Sequence, residues 1–346
     1  MRPRKILFIG LGGAGQRHLR IFKGLLGDSC VYTCFRSHRT SPLLNPDFSV
    51  NDSGTVEDAY NLTSFDSLEA AFDDGPDLAV ISTPSAMHFD AAMMAAEKGV
   101  NIFVEKPFSH NLEGFERFRD TVLANNVGFF ISFQRRHHGL IGKAREAIVT
   151  GRLGDVFSAS FNVASYVPAW HAYENFLGLY ACRKELGGGV LLTEIHEFDL
   201  CNWFFGPPAA VSCTGGTLAG VAIDVEDTAH ACLDYPGLAV SVNLCFMQRH
   251  GRRDFSVAGS KGYLEWNQDG NRLTIEDYET GEIENLADPG IINDDMFTVQ
   301  AKHFLESGTA TGSAENLEIA RMSLAMVAAA KRSMETGRRI AVPTVS

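Results

Sequence analysis

The chain has 346 residues, more than one compact domain usually holds and about the length of two. It is 45% hydrophobic and 21% charged, a composition that excludes a disordered chain, a collagen-like repeat and a coiled coil. The net charge of −12 at pH 7 argues against nucleic acid or an anionic membrane as partner, because both attract positive surfaces. No apolar run reaches the roughly 18 residues that span a bilayer.

The seven cysteines are odd in number and scattered, and none forms a C-x-x-C pair. Neither a disulfide framework nor a zinc site is therefore expected. The adjacent His137 and His138 have no carboxylate or cysteine at ligand spacing, so we interpret them as a solvated loop and expect no metal. A reducing cytoplasm fits this cysteine usage best.

In the first third of the chain, short apolar runs alternate with helical patterns. Runs that are apolar on both faces are typical of parallel strands covered by helices. The alternation predicts a doubly wound α/β sheet, a Rossmann dinucleotide-binding domain over residues 1–127. The predicted strands are residues 5–10, 31–35, 78–83, 101–104 and 128–133, and the predicted helices are residues 14–26, 67–72, 88–98 and 112–125. Residues 41–55 are interpreted as a surface excursion.

The pattern changes in the second part of the chain, where strand-like runs follow one another and alternate polar with apolar residues. This predicts an α+β domain over residues 128–346 with a mostly antiparallel open sheet that has one wet face. The predicted strands are residues 158–164, 210–215, 229–233, 239–246 and 253–257. The predicted main helices are residues 187–205 and 314–336.

A glycine-rich turn joins the first predicted strand to the first predicted helix. Gly10 permits the tight turn, Gly12 lets the backbone approach a pyrophosphate, and Gly15 lets the helix pack close to the strand. Gly13 and Ala14 open the helix, whose N-terminus offers amide donors to an anion. This G-x-G-x-x-G string, placed between strand and helix, predicts a dinucleotide site; the alternative is a glycine turn without ligand.

The end of the second predicted strand bears on the form of the dinucleotide. Enzymes that use NAD usually carry Asp or Glu there to bind the ribose 2′-hydroxyl. Here Arg36 and Ser37 follow the strand, and no carboxylate occurs before Asp47. Because a guanidinium offers forked donors to a phosphate, we expect NADP(H) to be favoured over NAD(H). The alternative is a solvated basic loop.

Two further strings follow predicted parallel strands at their carboxyl ends, where ligands bind in open α/β sheets. Thr83 and Pro84 follow the strand at residues 78–83. Glu105, Lys106 and Pro107 follow the next one. From the spacing alone, an exposed lysine is as good an interpretation of Lys106 as a functional one.

These strings resemble the Gfo/Idh/MocA oxidoreductases. The glycine turn, the T-P-x-x-x-H string from Thr83 to His88 and the E-K-P string at Glu105 occur in that family's order and spacing. Residues 130–137 are similar to its strand into the second domain, and residues 187–199 to its G-G-G…D…H…D segment. The resemblance covers essentially the whole chain.

The resemblance implies a nicotinamide-dependent redox reaction at a sugar-type carbinol. By analogy, Lys106 hydrogen-bonds the reacting oxygen and His196 lies beside it in proton transfer. A lysine is a poor base at neutral pH, so a desolvated site beside the positive nicotinamide ring has to lower its pKa. His196 alone would be a satisfied helix histidine. The implied cofactor-binding residues beyond the glycine turn are Thr83, Pro84, His88, Glu105, Lys106 and Arg136.

One position departs from the family pattern, because many members carry Asp where this chain has Thr193. Residues 193, 196 and 199 are predicted to share one helix face. Thr193 can hydrogen-bond but holds no charge, and Glu194 points about 100° away as a poor substitute. The Lys106–His196 pair therefore carries the proton-transfer hypothesis, with Thr193 as an auxiliary catalytic candidate.

An aromatic segment from residue 166 to 184 is predicted to contact substrate, since sugars stack on ring faces and bind forked donors. Trp170, His171 and Tyr173 are its candidates, and Arg183 or Lys184 could pair with an anionic group. Similar W-H-x-Y-E loops occur in family members that act on bacterial cell-surface sugars and sugar nucleotides. The alternative is an aromatic contact between subunits.

The sequence thus predicts an NADP(H)-dependent oxidoreductase that interconverts a hydroxyl and a ketone on a sugar, sugar acid or nucleotide sugar. The predicted substrate-binding residues are Lys106, Trp170, His171, Tyr173, Arg183, Thr193 and His196. A homodimer or homotetramer formed through the open sheet face is expected. Two alternatives remain: a catalytically weak sensor that keeps the fold and cofactor, and an NAD-dependent glycosidase of the same family that uses transient oxidation.

Overall fold

A computed structural model describes residues 2–37, 41–171, 173–307 and 312–343, and these residues form two compact units. The first unit comprises the chain through Ser132, His171–Glu174 and Phe297–Arg321. The second comprises Phe133–Trp170, Asn175–Met296 and the chain from Met322 onward.

The first unit is built on a six-stranded sheet in the order β3-β2-β1-β4-β5-β6, with every neighbouring pair parallel. Its strands are β1 (Lys5–Ile9), β2 (Val31–Phe35), β3 (Thr63–Phe65), β4 (Leu78–Ile81), β5 (Asn101–Glu105) and β6 (Phe129–Ser132). The connecting helices are α1 (Gly13–Leu26), α2 (Val56–Tyr60), α3 (Leu68–Asp73), α4 (His88–Glu97) and α5 (Phe115–Ala124). This doubly wound order confirms the predicted Rossmann architecture.

The strands are buried on both faces, which explains their continuous apolar runs. All four residues of β4 are fully buried, and so is most of β1. Phe103 of β5 stacks on Phe130 of β6 with ring centroids 5.2 Å apart, and Phe304 packs edge-on at 5.4 Å from Phe103. Burial of this kind contributes roughly 1.5–3 kcal/mol per large apolar side chain.

Residues 41–55 are more than the surface excursion that the prolines suggested. Leu43 and Leu44 are 4% and 1% exposed, so they belong to the core. The buried side chain of Gln16 on α1 holds them there: its amide nitrogen donates to the carbonyl of Pro42, and its oxygen accepts from the amide of Leu44, both at 2.8 Å. The surface interpretation was therefore wrong for this part, because a polar side chain 26 residues away satisfies the backbone.

The second unit contains a nine-stranded sheet in the order β14-β13-β12-β11-β7-β10-β9-β8-β15. Its strands are β7 (Val156–Tyr166), β8 (Ala210–Gly216), β9 (Thr228–Tyr235), β10 (Leu238–Cys245), β11 (Met247–Gly259), β12 (Gly262–Asn267), β13 (Arg272–Asp277), β14 (Ile283–Ala287) and β15 (Ile340–Ala341). Only the β7–β10 pair among these neighbours is parallel. The predicted mostly antiparallel sheet is confirmed.

One face of this sheet is apolar and covered, and the other is polar. Phe161 stacks on Phe255 at 5.3 Å, and Phe255 stacks on Trp266 at 5.5 Å. On the opposite face Ser241 donates to Ser160 at 3.1 Å and Asn243 donates to Asn162 at 2.9 Å. This alternation of burial along the strands is what the sequence pattern predicted.

The predicted single helix over residues 187–205 is wrong. The structure has a short helix α7 (Val190–Thr193), then a break, then α8 (His196–Phe205). The backbone leaves the helix at Glu194, with φ −99° and ψ 32°, where its carboxylate pairs with Arg253. Thr193 and His196 therefore belong to different helices, whereas His196 and Asp199 share α8.

The remaining helices are α6 (Gly139–Val149), α9 (Asn293–Glu306) and α10 (Ser313–Thr336). Among the described residues, none of the helices is both long and apolar enough to cross a membrane.

Candidate active site

The glycine turn of the first unit has the shape that a dinucleotide requires. Gly10 has a φ of +86°, and a Cβ placed on it would come within 2.9 Å of the Thr83 amide nitrogen. A Cβ on Gly15 would collide with the Gly10 carbonyl. A Cβ on Gly12, in contrast, would meet nothing within 4 Å, so the space beside Gly12 is open for a ligand.

Donors and acceptors at the turn also fit a nicotinamide dinucleotide. Gly12 caps α1 without a side-chain hydrogen bond, which leaves the amides of the first turn, those of Gly13 and Ala14 included, available to an anion. The Thr83 hydroxyl, beside Gly10, is buried without a partner among the described residues. Buried polar atoms in proteins normally have a hydrogen-bond partner, so a ligand at this position could supply one. Thr83 and Pro84 follow β4, at the strand end where the sequence analysis predicted a cofactor.

Three rings cover the glycine turn, and one of them escaped the sequence analysis. A Cβ on Gly13 would come within 2.8 Å of the Phe48 ring. His171 stacks on Phe48 at 6.5 Å, and Tyr173 stacks on His171 at 5.1 Å. The Tyr173 hydroxyl lies 3.8 Å from the same Gly13 position. The structure thus places His171 and Tyr173 beside the dinucleotide turn, although the sequence analysis assigned them to substrate.

Two charged side chains contact the aromatic layer that Phe48, His171 and Tyr173 form over the glycine turn. The Arg17 guanidinium lies 4.6 Å from the Phe48 ring centroid and 4.7 Å from that of Phe297, within cation–π range. His171 Nδ1 lies 2.6 Å from a carboxylate oxygen of Glu174. Burial and Glu174 raise the pKa of Tyr173 to about 12, so its hydroxyl stays protonated at neutral pH.

Arg36, the predicted phosphate ligand, is engaged within the protein. Its Nη1 lies 3.1 Å from both carboxylate oxygens of Glu57 on α2, and its Nη2 donates to the Ser41 carbonyl at 3.0 Å. The residue is 8% exposed. Ser37, which follows it, is exposed. A carboxylate therefore does stand near the end of β2, supplied from a distant part of the chain.

His88 joins the ends of two neighbouring strands. Its Nδ1 lies 2.8 Å from the Pro107 carbonyl and its Nε2 lies 2.7 Å from the Thr83 carbonyl. The residue is 1% exposed, and burial lowers its pKa in spite of both acceptors. The T-P-x-x-x-H and E-K-P strings thus meet physically, and His88 positions the segment that follows Lys106.

Glu105 is the buried acidic residue of the E-K-P string. It is 7% exposed, accepts from the Ser132 hydroxyl at 3.1 Å, and lies 2.6 Å from His18 Nε2. Burial alone would raise its pKa, but the His18 hydrogen bond and charge, together with Lys106, leave the pKa below its ordinary value. Glu105 is therefore an ionised carboxylate. His18 and Ser132 are its partners, and the sequence analysis did not find them.

Lys106 itself lies at the carboxyl end of β5, half-buried and directly after Glu105. Its positive charge is one of the groups that hold Glu105 ionised. The carboxyl ends of β4 and β5 thus present Thr83, Pro84 and Lys106 on one edge of the sheet, as the sequence predicted for a ligand-binding edge.

In the second unit, His196 opens α8. His196 and Thr193 are each 4% exposed. The His196 ring meets Phe133 edge-to-face at 5.9 Å, and its Nε2 lies 3.5 Å from Gln134 Nε2. The two predicted catalytic residues of this unit are thus buried, and His196 lies beside Phe133 and Gln134.

A buried charge cluster adjoins His196, and sequence reasoning missed most of it. Arg253 of β11 pairs with Glu194 and lies 3.6 Å from Glu197. Burial raises the pKa of Glu197 although Arg253 opposes it, and the two glutamates raise the pKa of Arg253 although burial opposes them. Glu194, dismissed as pointing away from a regular helix, therefore takes part in the cluster because the helix breaks there.

Arg136 binds the carboxylate of Asp199 rather than standing free. Its Nε and Nη2 donate to the two oxygens at 2.9 and 2.8 Å, and its guanidinium lies 5.4 Å from the Trp203 ring centroid. Burial raises the pKa of Asp199 in spite of this pair. The geometry makes Arg136 an anchor of α8, while its cofactor contact stays a prediction.

The other candidates fall in different surroundings. Trp170 packs edge-on against Phe246 at 5.3 Å and lines a cavity. Arg183 is exposed and pairs with Glu185. His138 is 4% exposed and caps α6 by accepting from the Ile141 amide, so the expectation of a solvated loop was wrong there. The described part of the chain contains no group of three His, Cys, Asp or Glu placed to hold a metal ion.

Two family models match the chain. Residues 4–133 match "Oxidoreductase family, NAD-binding Rossmann fold", and residues 141–265 match "GFO/IDH/MocA C-terminal domain". The two models are halves of one family and together cover most of the chain.

Two of the named relatives are sugar dehydrogenases. The levoglucosan dehydrogenase of Pseudarthrobacter phenanthrenivorans is 25% identical over 223 residues, which cover 56% of each protein. The D-glucoside 3-dehydrogenase of Escherichia coli is 27% identical over 143 residues, which cover 40% of this chain and 38% of that protein. The matched segments thus span about half or less of these relatives.

Solved structures share the whole fold. The WlbA dehydrogenase from Bordetella pertussis, in complex with NADH and UDP-GlcNAcA, has a TM-score of 0.76 and 23% identity, covering 99% of this chain and 100% of that one. A levoglucosan dehydrogenase in complex with NADH and L-sorbose has a TM-score of 0.80 and 19% identity, covering 100% of both chains. At this identity the likeness concerns the fold.

Proposed function

Because the chain belongs to the Gfo/Idh/MocA oxidoreductase family, we propose that it interconverts a secondary hydroxyl and a ketone on a sugar, sugar acid or nucleotide sugar. The observation that carries this proposal is the meeting of the Thr83 and Lys106 strand ends beside an open glycine turn. The sugar dehydrogenases among its relatives support the substrate class.

The glycine turn is proposed to hold a nicotinamide dinucleotide. Backbone amides at Gly13 and Ala14 would bind the pyrophosphate beside the open position of Gly12, and the Thr83 hydroxyl would gain its missing partner. When bound, the nicotinamide ring supplies the hydride acceptor or donor. Phe48, His171 and Tyr173 would cover the pyrophosphate side and exclude water from it.

NADP(H) is proposed as the preferred form. No carboxylate follows β2 directly, and Arg36 and Ser37 stand where NAD enzymes usually carry an acid. The ion pair with Glu57 adds a condition: Arg36 has to exchange its carboxylate partner for the 2′-phosphate. Glu57 therefore competes with the phosphate for the same guanidinium.

Proton transfer is assigned to Lys106 and His196. Lys106 would donate a hydrogen bond to the reacting oxygen and hold it, while Glu105 and His88 fix the strand end that carries it. His196, at the start of α8, would take the hydroxyl proton or return it. Thr193 lies in a separate short helix, so its part would be limited to a hydrogen bond.

The test uses two variants and two readouts. Lys106→Met and His196→Asn are assayed for turnover on a panel of neutral sugars, uronates and UDP-sugars with NADP⁺ and NAD⁺, and for NADPH binding by fluorescence. We expect turnover to fall by about 10²–10⁴-fold, the usual contribution of a positioned acid or base, with NADPH binding retained. Unchanged turnover in Lys106→Met would overturn the assignment, and ligand binding with no turnover in the unmodified protein would favour a sensor.

The proposal also includes the cellular compartment and the number of subunits. The seven cysteines, all among the described residues, form no disulfide, which supports a reducing compartment such as the cytoplasm. The polar face of the nine-stranded sheet supports a homodimer or homotetramer formed through it. Light scattering after gel filtration tests the subunit number, and a monomer across micromolar concentrations would contradict it.

A further inference from the structure

A cavity of about 1020 Å³ opens in the second unit, at the upper end of the volumes that small-molecule sites occupy. Its walls come from the end of β7, the first half of β11, the end of β12 and the turn after it. Arg135, Trp170 and Glu194 complete the lining. Nothing in the sequence analysis singled out this cavity or Arg135.

The arginines that line the cavity differ in how their charge is balanced. Arg252 pairs with Asp254, and Arg253 pairs with Glu194. No carboxylate in the described chain lies within 4.0 Å of the Arg135 guanidinium, although Glu265 and Asp269 also line the cavity. Among the described residues, Arg135 is therefore the one arginine of this lining without a directly paired carboxylate; Glu197 and Glu194 act on its charge only from beyond 4.0 Å.

Arg135 also has unused hydrogen-bonding capacity. Its Nη2 donates to the Gln268 side chain at 3.3 Å, while its Nε is buried without a partner. The Ser165 hydroxyl, in the same wall, is likewise buried and without a partner among the described residues. Burial and the charge of Arg253 lower the pKa of Arg135 to about 9, although Glu197 and Glu194 oppose this shift, so its charged form is incompletely stabilised.

Two residues of the cavity wall, Arg135 and Glu194, are close along the chain to the surroundings of the candidate catalytic histidine, which itself does not line the cavity. Gln134, the neighbour of Arg135, lies 3.5 Å from His196, and Glu194 in the wall precedes His196 by two residues. The residues that would bind a molecule here are thus neighbours in the chain of His196 and of its contact Gln134, so we interpret such a molecule as substrate rather than as a remote effector.

We propose that Arg135 and Ser165 bind an anionic group of the substrate, so that the substrate is an acidic sugar whose carboxylate or phosphate oxygens lie on this guanidinium. This inference rests on the proposed function. A forked guanidinium matches paired anionic oxygens, and a bound anion would provide Arg135 with a directly paired counter-charge and its Nε with an acceptor.

The test compares D-glucuronate, glucose 6-phosphate and UDP-glucuronate with glucose and UDP-glucose, their counterparts without the carboxylate or the 6-phosphate, on the unmodified protein, Arg135→Gln and Arg135→Lys. Arg332→Gln is the matched control, because Arg332 is exposed and forms an ion pair with Glu335 on α10, away from the cavity lining. We expect kcat/KM to be about tenfold or more higher for the best acidic sugar than for its counterpart without the anionic group. Arg135→Gln removes that difference through KM, Arg135→Lys restores part of it, and Arg332→Gln keeps it.

Equilibrium binding of the same acids, measured by calorimetry on Lys106→Met, separates this proposal from the general one. If neutral and acidic sugars react equally, or if Arg135→Gln weakens both equally, the anion site is wrong while the oxidoreductase stands. If no sugar reacts but the acids bind in an Arg135-dependent way, the site stands and the proposed reaction fails. A difference that follows the carboxylates alone, or the phosphates alone, identifies the source of the anion.

Discussion

Arg36 Nη1 lies 3.1 Å from both carboxylate oxygens of Glu57. The residue that the sequence suggests for a 2′-phosphate is thus already paired with an acid. Any phosphate at this position has to displace the carboxylate or tolerate its charge nearby.

This relationship makes the cofactor preference adjustable. Glu57→Gln removes the competitor, so we expect NADPH to bind about tenfold more tightly, with little change for NADH. Arg36→Ala should weaken NADPH selectively. Both are measured by nicotinamide fluorescence, with Glu69→Gln, an exposed glutamate on α3, as control. A Glu57→Gln variant that loses NADH affinity instead would show that Glu57 binds the ribose hydroxyls of NAD.

The aromatic layer over the glycine turn gives a second prediction. Phe48→Ala removes the ring that lies on Gly13 and supports His171, so we expect the dissociation constant for the dinucleotide to rise about three- to tenfold. Tyr278→Ala removes an exposed ring and serves as control. An unchanged constant in Phe48→Ala, with turnover on sugars impaired, would return His171 and Tyr173 to the substrate role that the sequence suggested.

His138 predicts a pH dependence of stability. Burial, and next the charge of Arg135, lower its pKa from 6.5 to about 4. Below pH 6.5, His138 therefore binds a proton in the unfolded chain but not in the folded chain. The free energy of unfolding falls for this reason as the pH drops from 6.5 towards 4. His138→Asn keeps a capping acceptor and should flatten this fall in urea titrations at pH 7, 6 and 5.

His230, an exposed histidine, provides the comparison. His230→Asn should leave the slope between pH 6.5 and pH 5 as it is in the unmodified protein. If His138→Asn and His230→Asn behave alike, the fall in stability at low pH arises from other groups.

The parts of the candidate site that could be predicted from the sequence are those determined by the conformation and packing of the local backbone. Gly10 and Gly15 are required by close approaches within the turn, and the strings at Thr83 and Lys106 follow buried strands whose apolar runs are plain in the sequence. These features depend on neighbours close along the chain or on the general layout of a parallel sheet.

The parts that the sequence missed depend on partners far along the chain. Glu57 lies 21 residues from Arg36, and Arg253 lies 59 residues from Glu194. No periodicity signals such pairs, yet the second one accompanies the break in the helix predicted over residues 187–205. Arg135 was missed for a related reason: only the folded structure shows that none of the described carboxylates pairs directly with it, because its neighbour Glu194 pairs with Arg253.

Binding of the dinucleotide at the glycine turn is the central claim, and Gly12→Val tests it most directly. Gly12 has a φ of −70° and open space where a Cβ would stand, so the variant should fold with an unchanged melting temperature. We expect the unmodified protein to bind NADPH saturably in a fluorescence titration, and NADH more weakly, and the folded Gly12→Val variant to lose at least about a hundredfold in affinity for both. Equal nicotinamide binding by the two proteins, or none by either, would contradict the account.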